Sequence, residues 1–202
     1  LYALLFIPGS SERSVLALRK EEGLKLYARK VLIQEYSKDL IPQYFRFVDG
    51  VVDSEDIPLN ISRESIQSSR VMAQIKRLLT NKIIDTLKTL GAEKPDQYAK
   101  FWAAHGRSIR EGVATDPDQS RALQSLLRFH SLKHPDRWIS LEEYIHEMPS
   151  AQTQIYYLLG NDESSLSISP HIEIIRNLGF DGLFMADPLD PFVLMRLTTF
   201  EG

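Results

Sequence analysis

The first fifty positions of the chain place short apolar runs between polar breaks, a pattern typical of β-strands. Tyr2 to Ile7 is an apolar run ended by Pro8, and KLYARKVLI at residues 25–33 is rich in strand-forming residues. Each predicts one strand, and VDGVV at residues 48–52 predicts a third. PQYFRF predicts a short helix, because Pro42 suits the first position of a helix. This part of the sequence therefore favours an α/β fold.

A helical period begins at Ser62. Apolar residues then recur every three to five positions, which predicts one long amphipathic helix that ends at Gly91. Shorter helices are predicted after it, over residues 96–104, 108–113 and 118–129. The middle of the chain is therefore expected to be helical.

The pattern after residue 139 returns to an alternation of helices and strands. Ser140 and Glu143 form the S-x-x-E capping box, which predicts a helix in LEEYIHEM. TQIYYLL and GLFMA predict strands, because both are short runs of strand-forming residues. Helices are predicted in SPHIEIIRNLG, which Gly179 closes, and in PFVLMRL. The end of the chain therefore predicts a second α/β unit.

These elements predict an α/β fold class with three parts. We expect a large α/β module over residues 1–94, a helical connector over 95–148 and a small α/β module over 149–202. The sequence shows no internal repeat and no low-complexity tract.

Composition narrows the classes of function. The chain has 202 residues, 43% of them hydrophobic and 25% charged, so it can bury a sizeable core. A net charge of -3 and a pI near 6.0 give no general attraction to nucleic acid or to an anionic membrane. The absence of cysteine excludes disulfides and a Cys-based zinc site. The chain starts at Leu1 without a signal-peptide pattern, and we expect it to be a piece of a longer protein.

Two groups of polar residues have spacings that metal sites or acid–base sites use. His130 and His134 are four positions apart, but Pro135 follows and no third ligand is evident, so no metal is predicted. Asp53, Glu55 and Asp56 could bind a cation or act as an acid–base pair. A solvated acidic turn is the favoured interpretation, because alternation along an extended segment turns these carboxylates to different sides.

Arg63 is the residue whose position most needs explaining. Asn60 or Ser62 suits the N-cap of the long helix, which would place the arginine cation near a helix end that favours anions. A surface salt bridge with Glu64 would account for this placement. Alternatively, Arg63 and free backbone N–H groups could bind a phosphate supplied from outside, with Gln67 one helical turn further on. The residues alone leave both interpretations open.

Long stretches of the sequence resemble the middle domain of the heat-shock protein 90 chaperone family. The most recognisable stretch is RFVDGVVDSEDIPLNISRES, and the likeness extends over KLYARKVLI, LIPQYFRFVDGVVDSEDIPLNISRE, YAKFWAAHG, IREGV, LLRFHS, SLEEY and MPSAQTQIYYLLG. These motifs occur together and in order over almost the whole chain, which makes the resemblance specific. KLYARKVLIQ and SEDIPLN are more similar to the mitochondrial or bacterial branches than to the eukaryotic cytosolic branch.

The resemblance implies a fold and a site. It implies a large α/β/α module, connecting helices and a small α/β/α module, in a chaperone whose ATP and Mg are bound by a preceding N-terminal domain. In the NISRE motif, Arg63 would contact the γ-phosphate of that ATP from a catalytic loop, and Gln67 would support the contact. Asn60 and Ser62 would shape the loop. Arg63 is thus both the catalytic residue and the cofactor-binding residue that the family implies.

The resemblance also implies partners and a compartment. We expect contacts with the N-terminal ATPase domain, with client proteins and with co-chaperones, in a homodimeric parent whose dimer contact lies in a following domain. The chain alone is expected to be monomeric and inactive in ATP hydrolysis, without nucleic-acid or membrane partners. The expected compartment is the mitochondrial matrix, with the bacterial cytoplasm as the alternative. Without the resemblance, a stand-alone α/β protein-binding or adaptor module remains open.

Overall fold

The chain forms two compact units, Leu1–Thr89 and Leu90–Gly202. The structure is a computed structural model that describes residues 1–8, 23–57 and 69–200. Each unit combines a β-sheet with helices, which confirms the α/β class. The three-part division with boundaries after residues 94 and 148 stays a prediction.

Among the described residues, the sheet of the first unit has four strands. These are β1 (Tyr2–Phe6), β2 (Leu24–Ala28), β3 (Val31–Ser37) and β4 (Asp49–Asp53), in the spatial order β1-β4-β2-β3. β4 runs antiparallel to β1 and parallel to β2, whereas β2 and β3 form an antiparallel pair. The strands predicted at Tyr2 to Ile7 and at residues 48–52 are confirmed as β1 and β4.

The predicted single strand at residues 25–33 is wrong, because this stretch turns back on itself. Ala28 pairs with Val31, so Arg29 and Lys30 alone form the turn between β2 and β3. Both turn residues have left-handed backbone angles, with φ of 49° and 68°. Tight turns of this type usually contain Asn or Gly, and neither residue is present to mark the turn in the sequence.

The short helix predicted in PQYFRF is confirmed as a 3₁₀ turn over Gln43–Phe45. Pro42 is the residue before the turn rather than its first residue, and it has an extended backbone. Tyr44 and Phe45 are buried and their rings meet edge to face, so the turn attaches the chain to the core before β4 begins.

One long helix, α1 (Arg70–Glu93), contributes buried residues to the core of the first unit. Its buried residues recur every three or four positions, as the predicted amphipathic pattern requires. The sheet contributes the fully buried Leu24, Leu26, Ala28 and Val52. The long helix is therefore confirmed, but it begins at Arg70 and not at Ser62, because Ser69 lies outside the helix and caps it. Neither Asn60 nor Ser62 is thus the N-cap of α1.

The predicted end of this helix at Gly91 is wrong, because α1 continues to Glu93. A Cβ atom at Gly91 would lie 2.7 Å from Nη2 of Arg128, whose guanidinium also covers the ring of Tyr98 at 4.3 Å. The glycine therefore provides space for a packed arginine and does not act as a stop signal.

Two helices open the second unit, α2 (Pro95–Thr115) and α3 (Pro117–Gln124). α2 joins the two helices predicted at residues 96–104 and 108–113 into one. The gap predicted between residues 104 and 108 includes Gly106, but the ring of Trp102 packs directly over this glycine, where a Cβ would approach it to 2.8 Å.

α3 is shorter than the helix predicted over residues 118–129. It ends at Gln124, and Phe129 then pairs with Ile139 in an isolated antiparallel bridge. Both residues of the bridge are buried, so the tertiary core sets this boundary rather than helix propensity.

The second sheet has three strands in the order β5-β7-β6, which are β5 (His130–Ser131), β6 (Tyr156–Leu159) and β7 (Gly182–Met185). β6 and β7 are parallel, and β5 is antiparallel to β7. The strands predicted in TQIYYLL and GLFMA are confirmed, although β6 is shorter than predicted. The two-residue strand β5 was not predicted, because its residues come directly after the helix predicted over residues 118–129.

Four short helices complete this unit. These are α4 (Leu141–His146), α5 (Glu163–Ser167), α6 (Pro170–Asn177) and α7 (Asp190–Leu194). The predicted capping box of α4 and the closure of α6 by Gly179, at φ 70°, are confirmed. α7 is shorter than predicted, and α5 was not predicted. No helix among the described residues has both the length and the apolar character needed to cross a membrane.

Candidate functional site

The predicted site residues Asn60, Ser62, Arg63 and Gln67 all lie outside the described residues. Their roles therefore stay predictions. The structure does describe the chain on both sides of them, up to Ile57 and again from Ser69.

The segment that leads towards the predicted site is fixed to the core directly after β4. The backbone N–H of Ser54 donates to the carbonyl of Tyr27 at 3.1 Å, which extends the pairing of β4 with β2. The Ser54 hydroxyl accepts from the Asp56 N–H at 3.3 Å. Ser54 and Ile57 are 1% and 2% exposed, so two buried side chains anchor this turn.

The turn between β2 and β3 makes a second set of contacts with the same segment. The Lys30 backbone N–H donates to both carboxylate oxygens of Asp53, at 3.3 and 3.2 Å. The Arg29 Nε–H donates to the Glu55 carbonyl at 3.4 Å. Glu55 and Asp56 are exposed, in agreement with the predicted solvated acidic turn. Sequence reasoning missed Arg29 and Lys30 here because it interpreted both as strand residues.

On the other side of the predicted site, Ser69 caps α1. Its hydroxyl accepts from the Met72 N–H at 3.2 Å, and its carbonyl accepts from the Ala73 N–H at 3.2 Å. A serine hydroxyl in this position satisfies one of the free N–H groups of the first helical turn. The described chain is thus well bonded both before residue 58 and after residue 68.

A buried ion pair lies in the second unit. Nε of Arg110 on α2 contacts Oδ1 of Asp190 at 2.8 Å, and the Asp190 side chain is 0% exposed. The Arg110 guanidinium also covers the ring of Trp102 at 4.8 Å and lies 5.7 Å from the ring of Phe129. Burial raises the pKa of Asp190, and the Arg110 cation opposes this shift. The pair joins α2 to the start of α7.

The two histidines that the sequence offered as a metal pair point to different carboxylates. His130 stacks on Trp138 at 3.7 Å, and its Nδ1 lies 2.7 Å from Glu163. His134 Nε2 lies 2.6 Å from Glu147. Among the described residues, no group of three or more metal-binding side chains could hold an ion.

Tyr144 organises a buried hydrogen-bond network that sequence reasoning missed. Its hydroxyl donates to the Asp181 carbonyl at 2.6 Å and accepts from Gln152 Nε2 at 2.8 Å and from the Tyr156 N–H at 3.1 Å. Gln152 Oε1 in turn accepts from the Asp181 N–H at 3.1 Å. Burial raises the pKa of Tyr144 to about 12, although the bonds from Tyr156 and Gln152 oppose this shift. The network fixes the starts of β6 and β7 side by side.

The whole chain, residues 1–202, matches the family described as Hsp90 protein. It is 40% identical over 200 residues to the chaperone protein HtpG of Bdellovibrio bacteriovorus, covering 99% of this chain and 32% of that protein. It is 41% identical over 203 residues to the HtpG of Chlorobium chlorochromatii, covering 98% and 32%. The chain thus spans about a third of the length of these relatives.

The structure is also similar to a solved domain. The middle domain of a heat shock protein of Plasmodium falciparum matches it with a TM-score of 0.83 and 30% identity, covering 99% of this chain and 79% of that one. Sequence and structure thus agree, and the resemblance noted in the sequence is confirmed. The chain belongs to the Hsp90 protein family of chaperones, and its fold is that of the middle domain.

Proposed function

We propose that this chain is the middle segment of an ATP-dependent chaperone and that Arg63 acts on ATP bound by a preceding domain. The observation that carries the proposal is the match to the Hsp90 family together with the NISRE motif at residues 60–64. The relatives are about three times as long as this chain, which leaves room for a separate nucleotide-binding domain.

The geometry around the predicted site supports this role. Ser54 and Ile57 fix the chain before residue 58, and Ser69 fixes it at the start of α1. A loop that carries a functional side chain works best on a rigid scaffold. Arg63 would stabilise the charge on the γ-phosphate in the transition state, and Gln67 would support that contact. ATP and Mg would be held by the preceding domain.

The partners and the compartment follow from the same proposal. The chain would contact its own N-terminal ATPase domain, client proteins and co-chaperones within a homodimeric parent. Both relatives described above are bacterial, so the proposed compartment is the bacterial cytoplasm. The mitochondrial matrix, which the sequence favoured, has no support from these relatives. No observation within the described residues favours a stand-alone adaptor module.

Steady-state ATPase of the full-length protein tests this proposal. Arg63→Ala should lower kcat by more than about ten-fold, because an arginine that stabilises transferring phosphate contributes at least that much. The Kd for ATP should change by less than about three-fold, because the preceding domain supplies the other contacts. Arg77→Ala, which removes an exposed cation from α1, is the matched control and should leave kcat unchanged.

Stability separates a catalytic role from a structural one. Arg63→Ala should shift the melting temperature of this chain by less than about 2 °C, as for an ordinary surface substitution. An unchanged kcat combined with a clear fall in melting temperature would show that Arg63 forms a structural salt bridge.

A further inference from the structure

We propose that the turn between β2 and β3 positions the segment that carries Arg63. Arg29 and Lys30 in this turn would act through Asp53 and Glu55, which precede Arg63 in the chain. The inference rests on the proposed function, because it assigns positioning residues to the same reaction.

The conformation of the turn is the first observation. Arg29 and Lys30 are consecutive, neither is glycine, and both have left-handed angles, with φ of 49° and 68°. This region is unfavourable for residues with a Cβ, and two-residue turns prefer Asn-Gly for that reason. Strained backbone of this kind persists where surrounding contacts require it, and it is concentrated at functional sites.

The contacts show what the conformation achieves. With the turn in this shape, the Lys30 N–H lies 3.3 and 3.2 Å from the two oxygens of Asp53, which receive a charge-assisted hydrogen bond. The Arg29 side chain reaches the Glu55 carbonyl at 3.4 Å. Asp53 is also the last residue of β4 and is paired with Tyr27 in β2. The turn therefore holds the chain at the point where it leaves the sheet towards Arg63.

Positioning at this point matters for the proposed chemistry. A guanidinium that stabilises a transferring phosphate must be held in place before the reaction, since small displacements reduce the rate strongly. Ser54 and Ile57 fix the segment from the side of the core. Arg29 and Lys30 fix it from the exposed side, through a side chain and a backbone N–H. The two sets of contacts together fix the chain as far as Ile57.

An ordinary surface turn would behave differently from a positioning turn. If Arg29 and Lys30 only connected two strands, replacing them by Asn-Gly would relieve strain and leave the ATPase unchanged. A positioning turn loses the Arg29 contact with Glu55 and gains flexibility at residue 30. The ATPase should then fall while stability is kept or raised, which loss of folding cannot cause.

The test uses the full-length protein, three variants and one control. Arg29→Asn with Lys30→Gly should keep or raise the melting temperature and lower kcat by about three- to ten-fold, with the Kd for ATP within about two-fold. Asp53→Ala should lower kcat to a similar extent. Asp53→Asn should restore most of the activity, because its amide oxygen still accepts from the Lys30 N–H. Glu35→Ala, an exposed acid on β3, is the control and should have no effect on kcat.

A double-mutant cycle with Arg63→Ala decides how the effect is transmitted. If Asp53 acts through Arg63, Asp53→Ala should not lower kcat further in the Arg63→Ala background. Additive effects would overturn the inference, as would an unchanged kcat in the Asn-Gly variant or a joint fall of its kcat and melting temperature. If Arg63→Ala alone leaves kcat unchanged, the proposed function itself fails. If Arg63→Ala lowers kcat and the turn variants do not, only the present inference fails.

Discussion

Replacing Tyr144 by Phe removes one oxygen atom from the buried network and leaves the ring in place. The tyrosine is 2% exposed, so the ring packing should survive the change. The hydroxyl connects α4 with both β6 and β7, through Tyr156 and Asp181. We therefore expect a loss of stability in the second unit without a change of fold.

The size of the loss follows from the individual hydrogen bonds. The bond to the Asp181 carbonyl contributes about 1 kcal/mol net, and this carbonyl keeps a weaker contact with Gln152 Nε2 at 3.4 Å. The N–H of the half-buried Tyr156 loses this acceptor, which costs about 1–3 kcal/mol. Gln152 Nε2 still donates to the Gln154 carbonyl at 2.9 Å, so it adds little. Together these effects predict a loss of about 2–4 kcal/mol in the free energy of unfolding.

Urea unfolding followed by tryptophan fluorescence measures this loss in the correct unit. The chain has two tryptophans, Trp102 and Trp138, and both lie in the second unit. Tyr157→Phe is the matched control, because Tyr157 is on the same strand as Tyr156 but 50% exposed. The control should change the free energy of unfolding by less than about 0.5 kcal/mol. Equal effects of the two substitutions would refute the assignment of the network as a stabilising element.

Two further predictions concern the same unit. Gly106→Ala should destabilise the second unit by about 1–2 kcal/mol in the same urea assay. Alanine favours helices, but here the new Cβ would meet the rigid ring of Trp102 at 2.8 Å. Gly91→Ala should cost less, because its Cβ meets only the end of the flexible Arg128 side chain; a larger loss at Gly91 would contradict this reasoning. In alkali, Tyr144 ionises near pH 10 in the unfolded chain but only near pH 12 in the folded chain. The contribution of the Tyr144 hydroxyl to stability is therefore fully present below pH 10 and is lost as the pH rises from 10 to 12. The difference in unfolding free energy between wild type and Tyr144→Phe should therefore shrink by up to about 1.4 kcal/mol per pH unit in this window, and a constant difference would exclude the assignment.

Local patterns predicted the elements whose signals are complete within a few residues. The capping box of Ser140 and Glu143 is an example, because both of its hydrogen bonds lie within one helical turn. The closure of α6 by Gly179 is another, since the left-handed angle of this residue needs no distant partner. Short apolar runs predicted β1 and β4 for the same reason.

Features decided by distant contacts were not predictable from the pattern. Gly91 was interpreted as a helix end, and a gap between two helices was predicted around residues 104–108. Yet Gly91 and Gly106 each leave space for a large side chain that packs over the glycine. The turn at Arg29 and Lys30 contains no Asn or Gly that would mark it in the sequence. It is bonded instead to Asp53 on another strand, a contact that no local pattern shows. The predicted site itself rests on the family motif, since helix-end electrostatics left a salt bridge and a phosphate contact equally open for Arg63.

Stability and activity should respond to different parts of this protein, and the energies show why. The contacts of the β2–β3 turn are exposed and 3.2–3.4 Å long, so their loss changes the free energy of unfolding little. The Tyr144 network is buried and includes bonds of 2.6 and 2.8 Å. Yet a unit with about 5 kcal/mol of stability that loses 3 kcal/mol remains about 97% folded at 25 °C. Substitutions at Tyr144 should therefore leave the ATPase nearly unchanged at that temperature, whereas substitutions in the turn should lower it while the protein remains fully folded.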